Sequence, residues 1–220
     1  MEWIILDDGT EPVGDLFAEL SKSCPNIRYI RQEGEKTLIG AKRNAIMKEA
    51  RGDIFVWMDD DDYYFPERVA HSVTLLQRYP KIQLAGSSHI FMYYFDTGKI
   101  HSFGPLHQKH ATNGTMAIRK EYARTHTYDE TVTHAEEKSF LDDYKHDMVQ
   151  LDPYKTMLVM AHSSNTYDKR IMRDRKSADI SGVSIVSMLK ETTLKLKDFI
   201  RTGAQRSFYE GLKLNATPSS

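Results

Sequence analysis

The sequence predicts an α/β fold with a mixed, mostly parallel central sheet flanked by helices, and three observations carry that prediction. Short apolar runs alternate with helically spaced segments over residues 3–79. Two of the runs, WIIL at Trp3 to Leu6 and IFVWM at Ile54 to Met58, stop abruptly in acidic turns, Asp7-Asp8-Gly9-Thr10 and Asp59-Asp60-Asp61-Asp62. Beyond residue 82 the pattern shifts to strands in succession, with Asp96-Thr97-Gly98 placed as a hairpin turn.

Element by element, a buried strand at Trp3 to Leu6 leads to a helix over Val13 to Lys22 and a strand over Ile27 to Ile30. Gly40 to Ala50 reads as a helix on which Ile39, Arg43, Ile46 and Ala50 share one face, so Arg43 lies on the inward stripe; Lys42 is expected to face solvent. The run Ile54 to Met58 is continuously apolar, as in a strand covered on both faces, and Pro66 suits the first turn of a helix reaching Tyr79. Strands follow at Ile82 to Ala85, Ile90 to Phe95, Ile100 to Phe103, Met116 to Ile118 and Thr156 to Ala161, with a helix at Glu136 to Lys145. One amphipathic helix is expected over Val183 to Arg201, and a domain boundary between residues 176 and 177, with 177–220 forming a helical extension and tail. That helix is expected to pack on the core, with peripheral membrane contact left open.

Charge and cysteine content narrow the function. Thirty basic against 31 acidic residues leave a net charge of -1, which offers no field for nucleic acid. No apolar run reaches the length of a membrane span, and a single cysteine, Cys24, fits a reducing compartment, with cytoplasm as the default. In open parallel sheets ligands bind beyond the carboxyl ends of strands, where both acidic turns are expected to lie. Four adjacent Asp side chains repel one another, an arrangement that suits a hard divalent cation, Mg2+ or Mn2+, with room left for phosphate. An inward-facing Arg43 needs an anion, either a diphosphate at the strand edge or one of the aspartates.

WIILDDGT followed by GAKRNAIMKEARGDIFVWMDDDDYYFPERV resembles the nucleotide-binding half of family 2 glycosyltransferases, in the flavour encoded by large DNA viruses, which would make the setting a host cytoplasm. The resemblance is specific over Trp3 to Val69 and looser from Gly114 to Arg170. It implies a GT-A fold and inverting transfer from a nucleoside-diphosphate sugar to a glycan or glycoconjugate hydroxyl. It further implies that Asp7 accepts from a nucleobase ring N-H with Asp8 nearby, that Arg43 lies against the base or diphosphate, and that Asp60 approaches the ribose. Asp59 and Asp61 hold the first and third positions of the family's DxD element as metal ligands, and Asp62 orients the loop. His162 completes the metal shell, and Arg170 closes over the phosphates. Glu136-Glu137 stands where the family has its general base, Glu137 being the first candidate and Glu136 the second. Family members begin with a strand and helix before the first acidic turn, so this chain is expected to start at the family's second strand. The alternative reading is a non-catalytic or remnant sugar-nucleotide-binding module.

Overall fold

The computed structural model describes residues 1–133, 135–163, 165, 168–174 and 188–212. The chain forms two compact units, Met1–Phe55 with Ile118–His146, and Val56–Ala117 with Asp147–Ser220. It passes between them within strands β3 (Ile54–Val56) and β8 (Ala117–Arg119), and again at His146. The expected boundary at 176/177 lies outside the described residues.

In the first unit, β1 (Trp3–Asp7) and β2 (Ile27–Arg31) pair in parallel, in register from Trp3 opposite Ile27 to Asp7 opposite Arg31. Helix α1 (Gly14–Ser23) joins them and stacks Phe17 on Tyr29 with ring centroids 6.0 Å apart. Helix α2 (Ile39–Glu49) then holds the later part of the unit by one face. The buried positions are Gly40, Arg43 and Asn44, rather than the expected Ile39, Ile46 and Ala50 that accompany Arg43, because this face meets backbone and acid rather than an apolar layer. A Cβ on Gly40 would stand 2.2 Å from the carbonyl oxygen of Asp129, so only glycine permits the approach. Asn44 makes a reciprocal pair with the backbone of Tyr128: its amide donates to the carbonyl at 2.9 Å and its Oδ1 accepts the N–H at 2.9 Å.

Helix α4 (Lys120–Ala123) and the four-residue helix α5 (Glu137–Phe140) complete this unit. The helix expected to reach Lys145 stops early because Asp142, Asp143 and Tyr144 have φ of 48°, 54° and 60°, a left-handed turn that no α-helix continues through; Ala135, just before α5, has φ of 56°.

The second unit is built on a five-stranded sheet in the order β11 (Leu189–Glu191), β7 (Lys99–Phe103), β6 (Ile90–Tyr94), β10 (Met157–Ala161), β4 (Tyr63–Tyr64). Only β6 and β10 run parallel. Their continuous apolar sequences follow from burial on both faces. Phe91, Tyr93, Leu158 and Met160 join Phe65, Leu196, Phe199 and Ile200 on one side. Ile90, Met92, Tyr94, Met157, Val159 and Ala161 form the core of the other. Helix α3 (Arg68–Arg78) follows Pro66 as expected, and β5 (Leu84–Gly86) pairs in parallel with β9 (Met148–Gln150).

The helix expected over Val183 to Arg201 is not what forms in its described part; residues 183–187 lie outside it. Leu189–Glu191 is a strand paired with His101 to Phe103, and a short helix α7 (Leu196–Phe199) delivers Leu196, Phe199 and Ile200 into the core. The β-branched Thr192 and Thr193 separate the two, and Thr192 is spent in hydrogen bonds to Ile100. A further helix, α8 (Gly203–Leu212), closes the described chain, and no helix among the described residues is long and apolar enough to cross a membrane.

Asn44→Ala would leave the N–H and C=O of the buried Tyr128 backbone without their partner. We expect a loss of about 2 kcal/mol in stability, read from the urea midpoint at unchanged m-value; an unchanged midpoint would refute the clamp.

Candidate functional site

The first acidic turn is held from within. One carboxylate oxygen of Asp7 accepts the N–H of Gly9 at 2.8 Å and Arg31 at 3.1 Å; the other accepts the N–H of Val13 at 3.0 Å and the hydroxyl of Tyr29 at 2.5 Å. Those four bonds fill a carboxylate's acceptor capacity. The Tyr29 hydroxyl, followed by the N–H groups of Val13 and Gly9, draws the Asp7 carboxyl down from 3.8 to about 2. Asp8 accepts the N–H of Thr37 at 3.2 Å and pairs with Lys42 at 3.0 Å. Lys42 is therefore not the solvent-facing side chain the sequence led us to expect, because the acid at the end of β1 draws it in.

The acid pair of the same unit lies at the start of α5. Glu136 is buried and its Oε1 stands 3.4 Å from Nε of Arg43, itself buried; the anion that Arg43 needs thus includes a glutamate from the chain. Burial, reinforced by the like charge of Glu136 and opposed by Arg43, pushes the Glu137 carboxyl up from 4.5 to about 7. Burial, with Glu137 adding to it, raises the hydroxyl of Tyr144, on the left-handed turn after α5, to about 12.

In the second unit, the four aspartates after β3 have different surroundings. The N–H of Asp59 donates to the hydroxyl of Tyr64 at 2.8 Å, while Asp60 and Asp61 are exposed. Asp62 turns back to the sheet, where its Oδ1 accepts the N–H of Met160 at 2.8 Å. Burial, with help from Asp61 and Asp59 and against Lys169, pushes the Asp62 carboxyl up to about 8.

Asp61 and His162 meet at a third residue: Nδ2 of Asn165 lies 2.7 Å from Oδ2 of Asp61 and 3.1 Å from Nε2 of His162. Burial lowers the pKa of His162, which favours the neutral imidazole that can accept from the Asn165 amide. Among the described residues no three His, Cys, Asp or Glu side chains gather as a ready-made metal cluster. What gathers is a carboxylate and an imidazole around a single amide donor, with Asp59 two residues away in sequence. This oxygen-and-nitrogen set fits a divalent cation that takes its remaining ligands from phosphate and water.

Arg170 lies on α6 (Lys169–Asp174) with its guanidinium forked onto Asp168, Nε to Oδ1 at 2.9 Å and Nη2 to Oδ2 at 2.7 Å. The two residues, with Asp96, Ile171 and Asp174, line an open depression of about 420 Å³. Tyr63 lies in the core and Tyr64 anchors Asp59.

Asn165 and Lys169 escaped the sequence reading. Asn165 stands three residues after His162, a spacing that returns a side chain to its predecessor in a turn, which was the available signal. Lys169 had no comparable one.

The model of glycosyl transferase family 2 matches residues 1–141. This chain belongs to that family. An uncharacterized glycosyltransferase of Rickettsia bellii (strain RML369-C) is 30% identical over 78 residues, 36% of this chain but 11% of that relative's length. The mannosyltransferase PcManGT from Pyrobaculum calidifontis, solved in complex with GDP-Man and Mn2+, aligns with a TM-score of 0.57 at 12% identity, over 77% of this chain and 50% of that one. S. aureus TarS 1-349 in complex with UDP-GlcNAc aligns with a TM-score of 0.52 at 13% identity, over 99% and 72%. The fold these likenesses share is the GT-A fold that the family 2 sequence implied.

The depressed Asp7 carboxyl sets a pH signature for this family 2 chain. Its contribution to stability is complete above 3.8 and is lost as pH falls toward 2. Melting curves across that window should flatten in Asp7→Asn relative to the wild type; parallel curves would refute the assignment.

Proposed function

We propose that this family 2 chain transfers a sugar from a nucleoside-diphosphate sugar to an acceptor hydroxyl, with inversion and with a divalent cation, Mn2+ or Mg2+. The observation that carries the reading is Glu137, a carboxyl at the start of α5 held near neutrality by burial and by Glu136. A general base is most effective when its pKa lies near the working pH. The ionised Glu137 takes the proton of the acceptor hydroxyl as that oxygen bonds to the anomeric carbon. The bond from that carbon to the diphosphate breaks, and the nucleoside diphosphate leaves with the electron pair. Arg43 pairs with Glu136 beside the base, and burial, with Glu136 adding to it, raises the pKa of Glu137.

Asp59, Asp61 and His162 are the residues we assign to the cation, which would supply neutralisation of the leaving diphosphate. Asn165, bonded to two of them, orients them. Asp8 and Asp60 are assigned to the nucleoside; Asp7 keeps its place by shaping the turn that presents Asp8, since its acceptor positions are filled. Arg170 would reach phosphate only by leaving Asp168. The GDP-Man with Mn2+ and the UDP-GlcNAc bound by two proteins of like fold support the donor class. The acceptor is a glycan or glycoconjugate, and the unpaired Cys24 supports a reducing, cytoplasmic setting.

One observation favours a second reading, a non-catalytic sugar-nucleotide-binding module. The guanidiniums of Arg43, foreseen against the base or diphosphate, and of Arg170, foreseen over the phosphates, have carboxylate partners in the chain.

Titration with UDP and GDP in the presence of Mn2+, combined with assay of sugar release from the matching nucleotide sugars, separates the two. Transfer is expected; metal-dependent binding without release supports the module. The rate should climb with pH through about 7 as Glu137 loses its proton, and Glu137→Gln should lower it by about a hundredfold or more while sparing donor binding. An unchanged rate in that variant would move the base elsewhere. Asp61→Asn should weaken Mn2+ binding at unchanged melting temperature, and retained affinity would remove Asp61 from the cation.

A further inference from the structure

Arg68 begins helix α3 and is 1% exposed. Its Nη2 points at three backbone carbonyls: Met116 at 2.9 Å, Gly114 at 3.2 Å and Trp57 at 3.3 Å. Its Nη1 donates to the hydroxyl of Ser72 at 2.5 Å. Among the described residues no carboxylate stands within ion-pair distance of it. Burial draws its pKa down to about 10, with Tyr64 and Asp59 acting the other way, so the group stays charged at neutral pH.

These carbonyls have a specific location. Trp57 is two residues before Asp59, just past the end of β3, and Gly114 belongs to the 3-10 turn Asn113–Thr115, against which the Asp59 side chain lies. A Cβ on Gly114 would stand 2.7 Å from Oδ2 of Asp59 and 2.8 Å from the hydroxyl of Tyr64, which accepts the Asp59 N–H. Asp59 is thus fixed at its backbone by Tyr64 and seated against Gly114, and one guanidinium ties both supporting segments together.

We infer that Arg68 is the positioning residue of the acidic run: by gathering the carbonyls of Trp57 and Gly114 it sets where the Asp59 carboxylate stands for a divalent cation. The inference rests on the cation reading proposed above. A role through charge alone has the opposite sign, because a buried cation disfavours a second one close by.

The test is Mn2+ alone, titrated into the full chain and followed by the electron paramagnetic resonance of the free ion. Arg68→Lys, which keeps the charge and loses the fork, Arg68→Met, which loses both, and Gly114→Ala, which displaces the Asp59 carboxylate, should each weaken Mn2+ binding about tenfold or more, as loss of a residue orienting a metal ligand does. Should the Arg68 variants fail to fold, Gly114→Ala decides, because its added methyl meets the ends of the Asp59 and Tyr64 side chains that make up the same seat. Wild-type affinity in the folded variants, or tighter binding in Arg68→Met, overturns the positioning role while Asp61→Asn still reports on the cation. Absence of Mn2+ binding to the wild type overturns both.

Discussion

A guanidinium withdrawn from water must be solvated by the protein, and among the described residues this demand arises once in each of the two units. Arg43, on α2, faces Glu136; Arg68, at the start of α3, faces three peptide carbonyls and a serine hydroxyl. An unpartnered charge in either place would cost several kcal/mol, so the surrounding segments are constrained to bring oxygen to it. In the first unit the segment so constrained carries the acid pair, and in the second it carries the aspartate run. Both acidic groups are therefore backed by buried cations.

The rest of the architecture serves the same placement. In the first unit Gly40, Arg43 and Asn44 form one face of α2, offering in turn closeness, charge and amide geometry to the chain from Tyr128 to Glu136. In the second, the parallel neighbours β6 and β10 are packed on both sides by aromatic and aliphatic residues, which gives Asp62 and His162 a rigid strand to work from. Arg173 adds to this by lying 4.8 Å over the ring of Tyr94 while pairing with Asp96, which fixes α6 and with it Lys169.

Much of this was legible in the sequence, for identifiable reasons. The strands at Ile90 and Thr156 announced themselves because burial on both faces demands unbroken apolar runs; the strand at Trp3, expected to be buried, is partly exposed because β1 and β2 form a sheet of two strands, and it was legible with those at Ile27 and Ile54 from the turns that close them, as were the helices α1, α2 and α3. The acidic turns stood out because like charges next to one another need a reason. What stayed hidden depends on partners far away in sequence. Leu189–Glu191 looked helical until His101 to Phe103 supplied an edge to pair with, and Lys42 looked solvated until Asp8 claimed it. The roles of Asn44, Arg68 and Asn165 are of the same kind: an amide or guanidinium has no periodicity, and only the fold shows which carbonyls it collects.

The backbone around α5 carries one more implication. Four non-glycine residues with positive φ bracket a helix of a single turn, and each such residue costs about 1 kcal/mol in isolation. A peptide of that sequence would not hold the shape by itself. Its conformation is lent by α2 and by the aromatic stack of Tyr128 on Phe140, centroids 4.1 Å apart. The acid pair is consequently dependent on the whole unit: the two carboxyls hold their places only while those distant supports do.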